Sequence, residues 1–228
     1  MIIAIDGPAA SGKGTLAKRL AAHLNLAFMD TGKLYRAVAY EVLHEGLSIK
    51  DKKDVLDATK ILQKKINNKG IESVLDNTTL REDRIGVAAS KVAAIPEVRQ
   101  ALLDIQRNFA KGPHNGKNGA VLDGRDIGTV IAPDADIKLF VTADLDVRAK
   151  RRLKELQSKG LSVTYSTVLE DMRERDARDA HTLKAHEAPG YVTTILDTSP
   201  MDADQAFEAA LEIIKSNQGN SGKTASRP

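Results

Sequence analysis

Residues 7–15 read Gly-Pro-Ala-Ala-Ser-Gly-Lys-Gly-Thr, and they follow the apolar run Ile-Ile-Ala-Ile-Asp at residues 2–6. A short apolar run that ends at glycine predicts a buried strand, and Leu16, Leu20 and Leu24 form the stripe of an amphipathic helix. Glycines allow successive backbone N–H groups to turn inward around phosphate oxygens, and the following helix adds its positive N-terminal end. A strand, a glycine-rich loop and a helix in this order predict a binding site for a nucleoside triphosphate. We call residues 7–15 the phosphate loop.

The end of the phosphate loop carries the residues expected to act on the triphosphate. Lys13 should reach the β- and γ-phosphates, and the Thr15 hydroxyl should face the metal or the phosphates. The strict motif has serine or threonine directly after the lysine, whereas this chain has Gly14 first, an ending typical of nucleoside-monophosphate kinases. A glycine-rich turn without a ligand is the alternative, which nine fitting positions in the expected context disfavour. The residues predicted to bind the triphosphate are Gly7, Pro8, Ala9, Ala10, Ser11, Gly12, Lys13, Gly14 and Thr15.

Outside the loop, strand-like and helix-like segments alternate along most of the chain. Strands are predicted at 26–29, 120–123, 137–142 and 192–196. Helices are predicted at 14–26, 32–44, 146–158, 166–179 and 202–215. This alternation is typical of a parallel sheet flanked by helices, so we predict an α/β fold of that kind.

The alternation breaks in the middle of the chain, which indicates an insertion. Helices at 52–63, 85–94 and 97–110 are predicted there, together with two short strands at 65–67 and 72–75 around the turn Asn68-Lys69-Gly70. We therefore predict one domain over 1–216, with an inserted segment over about 62–112 and a disordered polar tail over 217–228.

Composition excludes several classes of protein. The absence of cysteine excludes disulfides, thiolate metal sites and a cysteine nucleophile, and it fits a reducing compartment. Aromatic residues make up only 4% of the chain, which leaves little material for a surface of stacked rings that binds nucleic acid, and a net charge of +3 demands no such partner. The chain lacks an apolar run of the length that a membrane helix needs and begins without a signal peptide, so we expect a cytoplasmic protein.

Several arginines lie where an α/β sheet binds anions. Arg36 follows the second predicted strand, and Arg125 lies in the sequence Asp-Gly-Arg-Asp-Ile-Gly-Thr at 123–129, after the third. Ligands bind at the carboxyl ends of parallel strands, and the arginine fork matches two phosphate oxygens. Ordinary ion pairs and solvated helix faces are the alternative reading. That alternative also applies to Arg148, Arg151 and Arg152 on one helix face and to the alternating charges of residues 173–179.

Taken together, these segments resemble the bacterial cytidylate kinase family, and the resemblance runs from Met1 to about Ser216. The segments that carry it are the phosphate loop, residues 30–36, 88–99, 123–129 and 148–152, and the sequence Arg-Asp-Ala-Arg-Asp at 175–179. The resemblance implies a P-loop kinase core with an inserted monophosphate-binding segment and a lid over about 151–187. The chain departs from the family where it has Ala180 and Thr182 instead of the usual serine and arginine.

The resemblance also implies roles for individual side chains. Lys13, Arg36, Arg125 and Arg175 would be catalytic, with Arg36 and Arg125 on the acceptor phosphate. The cytosine would meet Ser90, Arg99 and Asp126, with Thr31 near that pocket. Arg175 and Asp179 would reach the ribose and phosphate, and Arg151 would bind ATP. The five histidines show no ligand spacing and are predicted to lie on the surface or in loops.

The predicted reaction is transfer of the γ-phosphoryl group of ATP to CMP or dCMP, with Mg²⁺ held in part by Thr15. We expect a monomer that binds neither nucleic acid nor membrane. Another small-molecule P-loop kinase, for UMP, AMP or shikimate, is the nearest alternative. A nucleotide-gated nucleic-acid-binding protein is a more distant one, which the nearly balanced charge and the few aromatic residues disfavour.

Overall fold

A five-stranded parallel sheet carries the phosphate loop in the computed structural model, which describes residues 1–221. Its strands are β1 (Ile2–Asp6), β2 (Ala27–Asp30), β3 (Ala120–Gly124), β4 (Ile137–Thr142) and β5 (Thr194–Asp197). Their order across the sheet is β2-β3-β1-β4-β5. The register pairs Asp6 with Gly124 and with Phe140, so the carboxyl ends of β1, β3 and β4 lie side by side. The predicted α/β class is confirmed.

Nine α-helices lie within the described residues. They are α1 (Lys13–His23), α2 (Gly32–His44), α3 (Lys52–Lys69), α4 (Ile71–Leu75), α5 (Asp83–Val92), α6 (Pro96–Lys111), α7 (Leu145–Ser158), α8 (Tyr165–Lys184) and α9 (Ala203–Ser221). Short 3₁₀ turns cover Thr78–Arg81 and Ala185–Glu187, and one π turn covers Ile127–Ile131. Within residues 1–221, none of these helices has the length and apolar character needed to cross a bilayer.

The chain forms two compact units. One consists of Met1–Met29 together with residues 109–221, and we call it the sheet unit; the other is Asp30–Asn108, which we call the helical unit. In the sheet unit, β1 is buried between helices, and the predicted leucine stripe of α1 packs into the same cluster as Phe207 of α9. Burial of each such side chain is worth about 1.5–3 kcal/mol, which fixes the strand ends that hold the loops.

The two short strands predicted at 65–67 and 72–75 are wrong. Helix α3 continues to Lys69, and Ile71–Leu75 forms α4. The reason is that Ile66, one turn after Leu62, extends the buried stripe of α3 beyond residue 63, so helical spacing continues through the segment predicted as a strand. Gly70 ends α3 by donating its N–H to the Ile66 carbonyl, so the turn residues cap a helix instead of joining a hairpin.

Helix α9 also continues past the predicted boundary, to Ser221. Residues 217–221 are therefore helical, and the expectation of a disordered tail is wrong there; residues 222–228 lie outside the described residues. Polar side chains do not stop a helix when they bond to its own carbonyls. Ser216 Oγ donates to Glu212 O at 2.9 Å, and Asn217 Nδ2 donates to Ile213 O at 2.9 Å.

Candidate active site

The phosphate loop leaves β1 through a glycine that no other residue could replace without strain. Gly7 has φ +144°, and a Cβ there would lie 2.0 Å from the Val141 carbonyl oxygen. Ala10 adopts the left-handed region with φ +58°, so the loop is wound tightly before α1 begins at Lys13. Gly12 at the N-cap has no side chain to satisfy the first N–H groups of α1. Those N–H groups and the positive end of the helix suit an anion.

Lys13 is folded back onto its own loop. Its Nζ donates to the Pro8 carbonyl at 3.1 Å and lies 3.9 Å from Oδ1 of Asp123, at the end of β3. The carboxylate of Asp123 also lies beside α1, because a Cβ on Gly14 would come within 3.0 Å of its Oδ2. Sequence reasoning used Asp123 only as part of a motif; the structure places it in direct electrostatic contact with the loop lysine.

The three arginines of α7 have separate environments. Arg148 is 6% exposed and forms a two-pronged bond to Asp176 of α8, with distances of 3.1 and 2.7 Å. It also donates to the Ala143 carbonyl at 2.8 Å and to the Ala9 carbonyl of the phosphate loop at 3.3 Å. Arg148 therefore joins α7, α8 and the phosphate loop.

Arg151 is held by the chain that follows β5. It donates to Thr198 Oγ1 at 3.0 Å, to the Thr198 carbonyl at 2.6 Å and to the Met201 carbonyl at 3.1 Å. Thr198 in turn donates to the Ser11 carbonyl at 2.8 Å. Arg151 thus reaches the phosphate loop through Thr198. Arg152 is paired with Glu155 on its own helix at 2.7 Å.

Arg125 and Asp179, from two different predicted segments, lie in contact. Nε of Arg125 donates to Oδ2 of Asp179 on α8 at 2.8 Å, and Nη1 donates to the Gly124 carbonyl at 3.0 Å. Both side chains are less than one-fifth exposed. Arg175, half-buried, lies one helical turn before Asp179 on the same face of α8.

A buried acid supports the segment that follows Arg125. Asp6, at the end of β1, is 1% exposed and accepts the N–H groups of Ile127 and Gly128, each at 2.8 Å. Burial raises the pKa of Asp6 to about 6, although the two backbone bonds act in the opposite direction. Asp126, half-buried beside it, adds to the increase in the pKa of Asp6 through like-charge repulsion.

His186 completes this group; it lies in the short turn Ala185–Glu187 after α8, within the prediction of a surface or loop position, but its side chain is buried. His186 is 8% exposed, and its Nε2 lies 2.9 Å from the Arg125 carbonyl and 3.7 Å from Oδ2 of Asp6. Sequence spacing gave no indication of this contact, because its partners are brought there by the sheet. Asp6 could have been found as the polar residue that ends the first buried strand.

The helical unit contains the other predicted acceptor residues. Arg36 on α2 donates from Nη1 to the carbonyls of Leu80 and Glu82, at 2.9 and 3.3 Å. Gly86 on α5 makes room for it, since a Cβ there would lie 2.8 Å from Nη2 of Arg36. The carbonyls of Leu80 and Glu82 therefore orient the Arg36 guanidinium, and the missing side chain at Gly86 leaves room for it.

The predicted base-binding residues of this unit lie on three of its helices. Arg99 on α6 donates to the Ala93 carbonyl at 3.2 Å, and its guanidinium lies 5.9 Å from the centre of the Tyr35 ring. Ser90 is half-buried on α5, and Thr31 is 3% exposed at the start of α2. The structure thus connects Arg99 to α2 through Tyr35, the residue next to Arg36.

Comparison with known proteins relates the whole chain to one family. A family model described as cytidylate kinase matches residues 3–216. The chain is 56% identical over 217 residues to the cytidylate kinase of Paramagnetospirillum magneticum, covering 95% of this chain and 99% of that protein. It is 55% identical over 214 residues to the cytidylate kinase of Rhodospirillum rubrum, covering 94% and 97%. The crystal structure of an uncharacterized protein from Eubacterium ventriosum shares the fold, with a TM-score of 0.52 and 18% identity over 95% of this chain and 99% of that one.

Proposed function

The chain belongs to the cytidylate kinase family, and we propose how its own residues carry out that reaction. It transfers the γ-phosphoryl group of ATP to CMP or dCMP, giving ADP and the nucleoside diphosphate. The observation that carries the assignment of residues is the phosphate loop, where Lys13 and the uncapped start of α1 provide positive charge at the carboxyl end of β1. The acceptor phosphate is already an anion, so the reaction needs alignment and charge neutralisation more than a strong base.

The donor side uses the phosphate loop. Its N–H groups bind the β-phosphate, and Lys13 exchanges the Pro8 carbonyl for oxygens of the β- and γ-phosphates. Asp123, 3.9 Å away, holds the ammonium within the site by opposite-charge attraction. The proposed ATP contact of Arg151 is supported by its link to Ser11 through Thr198, which fixes the guanidinium beside the loop.

The acceptor phosphate is assigned to Arg36 and Arg125. Each guanidinium is already held by backbone carbonyls of its own unit, so little side-chain entropy is lost when the phosphate binds. Asp179, bonded to Nε of Arg125, orients the fork and reaches the ribose, while Arg175 on the same face of α8 adds a further positive charge near the transferred group.

Recognition of the base is assigned to Ser90, Arg99 and Asp126, with Thr31 near them. Cytosine presents an exocyclic amine together with a ring nitrogen and a carbonyl that accept hydrogen bonds. The Asp126 carboxylate can accept from the amine, and the serine hydroxyl and arginine can donate to the acceptors. A base with the wrong arrangement of donors and acceptors would leave buried polar groups of the site unpaired, which makes its binding free energy less favourable by more than the loss of one hydrogen bond would.

The donor set at the phosphate loop fits Mg²⁺ bound mainly through phosphate oxygens and water. The Thr15 hydroxyl is exposed in the first turn of α1, and within residues 1–221 no cluster of three or more acidic or histidine side chains could hold a metal by itself. Thr15 would supply the protein ligand. When bound, the ion supplies positive charge on the β- and γ-phosphates.

The test is a coupled assay of ADP release across CMP, dCMP, UMP, AMP and shikimate. Turnover should be highest with CMP and dCMP and should not require nucleic acid. Equal use of AMP and CMP would reject the proposed base contacts. A monomeric state, a cytoplasmic location and the absence of a nucleic-acid partner remain predictions; gel filtration and a salt titration of RNA binding test the first and the last.

A further inference from the structure

The backbone of residues 125–128 is held by two buried side chains, Asp6 and His186. Asp6 accepts the N–H groups of Ile127 and Gly128, each at 2.8 Å. Nε2 of His186 lies 2.9 Å from the carbonyl of Arg125 and 3.7 Å from Oδ2 of Asp6. A carbonyl oxygen can only accept, so this contact requires a hydrogen on Nε2. The histidine is therefore the donor.

The surroundings of His186 fix the orientation of its ring. The ring lies between Phe140 and Tyr191, with centroid distances of 4.9 and 5.3 Å. Its Nδ1 is buried and has no hydrogen-bond partner among the residues that the structure describes. A buried N–H group without a partner is costly, so the geometry favours a hydrogen on Nε2, which faces the Arg125 carbonyl, over one on Nδ1 alone.

The same part of the chain also contacts the Arg125 side chain. His186 lies in the 3₁₀ turn that follows α8, and Asp179 of α8 accepts from Nε of Arg125 at 2.8 Å. One contact fixes the backbone of Arg125 and the other fixes its guanidinium. The side chain and the carbonyl carbon of Arg125 are attached to the same Cα. A shift of that carbonyl would therefore also move the guanidinium group.

We propose that His186 is a positioning residue for the acceptor phosphate, acting through the backbone of Arg125. This inference rests on the proposed role of Arg125 in binding that phosphate. His186 is buried and would act only through the backbone: its Nε2 hydrogen holds the Arg125 carbonyl so that the guanidinium stays aligned with Asp179 when CMP binds. The effect should therefore fall on the acceptor and leave the ATP side unchanged.

Two substitutions separate positioning from packing. His186→Leu retains apolar volume between the two rings but removes the donor, and it should raise the KM for CMP roughly threefold to tenfold with the KM for ATP unchanged. His186→Gln retains an N–H donor at a similar distance and should restore the KM for CMP to within about twofold of wild type, on the same principle. Equal changes in both KM values, or an unchanged KM for CMP in the leucine variant, would overturn the proposal.

A spectroscopic measurement on the wild-type protein tests the geometry without relying on activity. Long-range ¹H–¹⁵N NMR spectra distinguish the two neutral forms of histidine, and His186 should carry its hydrogen on Nε2 at pH 8. A hydrogen on Nδ1 would overturn the proposal, even if the leucine variant failed to fold.

Arg125→Ala, assayed in parallel, separates this inference from the proposed function. If Arg125→Ala raises the KM for CMP while His186→Leu does not, positioning by His186 is wrong and the role of Arg125 stands. If Arg125→Ala leaves the KM for CMP unchanged, the assignment of Arg125 is wrong, and the inference about His186 is wrong with it.

Discussion

The ammonium of Lys13 lies 3.9 Å from Oδ1 of Asp123, and both side chains are about nine-tenths buried. A charge in such a place is stable only with a partner, and here an acid at the end of the neighbouring strand provides one. The lysine is thus positioned by Asp123 at the carboxyl end of the sheet.

Lys13→Ala should abolish most phosphoryl transfer while the fold is retained. The loss of a buried cation that acts on the charge of the transition state should lower kcat by about 10²-fold or more. Single-turnover kinetics at saturating ATP and CMP measure the effect, with the exposed Lys60→Ala as a matched control. Near-wild-type kcat in a folded Lys13→Ala protein would contradict the role of the phosphate loop.

Arg36→Ala and Arg125→Ala should each weaken the acceptor side more than the donor side. A charge-assisted contact is worth roughly 1.5–3 kcal/mol, which corresponds to about a 10- to 150-fold change. The expected result is a large rise in the KM for CMP with a much smaller change in the KM for ATP. Arg84→Ala, an exposed arginine of the helical unit, is the control. A selective rise in the KM for ATP would show that the two roles are exchanged.

Gly86→Ala should reproduce part of the Arg36→Ala phenotype without removing any charge. The new methyl would lie 2.8 Å from Nη2 of Arg36, whose Nη1 is bonded to Leu80 and Glu82. The guanidinium must therefore shift, and the KM for CMP should rise. Steady-state kinetics and a melting curve check this, with the exposed Val87→Ala on the same helix as control. An unchanged KM for CMP would mean that Arg36 does not need its present position.

The strands, the phosphate loop and most helices were predictable because their periodicity and glycine chemistry are local. Where prediction failed, the deciding fact was tertiary. The stripe of α3 continues because Ile66 is buried by the fold, and His186 is buried because the sheet brings Asp6 and the Arg125 carbonyl to it. The different environments of Arg148 and Arg151 could not be predicted from the sequence either, because their partners Asp176 and Thr198 lie in other parts of the chain.

Replacement of Asp6 should remove one contribution to the pH dependence of the free energy of unfolding. The ordinary pKa of an aspartate is 3.8, and in the folded protein burial raises the pKa of Asp6 to about 6. At pH values between these two, Asp6 is protonated in the folded state and mostly ionised in the unfolded state. The contribution of Asp6 to stability is therefore fully present below about pH 4 and is lost as pH rises through about 6, an effect of about 3 kcal/mol.

Urea unfolding at pH values between 4.5 and 7 measures that dependence. Over this range the free energy of unfolding of Asp6→Asn, relative to wild type, should rise with pH by about 2 kcal/mol, the part of the effect that lies above pH 4.5, because the variant has no carboxyl group to titrate. Asp134→Asn, at an exposed position, is the control and should leave the slope nearly unchanged. A wild-type slope in Asp6→Asn would show that the pKa of Asp6 is not raised.

The last prediction concerns the base and rests on Asp126. A carboxylate can only accept, which suits the amine of cytosine and opposes the carbonyl that uracil has at the same place. Asp126→Asn changes one acceptor into a donor while the shape is retained, so it should improve kcat/KM for UMP and lower it for CMP. Asp126→Ala should instead lower kcat/KM for CMP without raising it for UMP.

The size of the change follows from the cost of an unpaired buried group, which is about 1–3 kcal/mol. The ratio of kcat/KM for CMP to that for UMP should therefore fall by roughly tenfold or more in Asp126→Asn. AMP should remain a poor substrate in all three proteins, because a purine exceeds a pocket built for a pyrimidine. An unchanged CMP-to-UMP ratio in Asp126→Asn would remove Asp126 from base recognition and leave that role to Ser90 and Arg99.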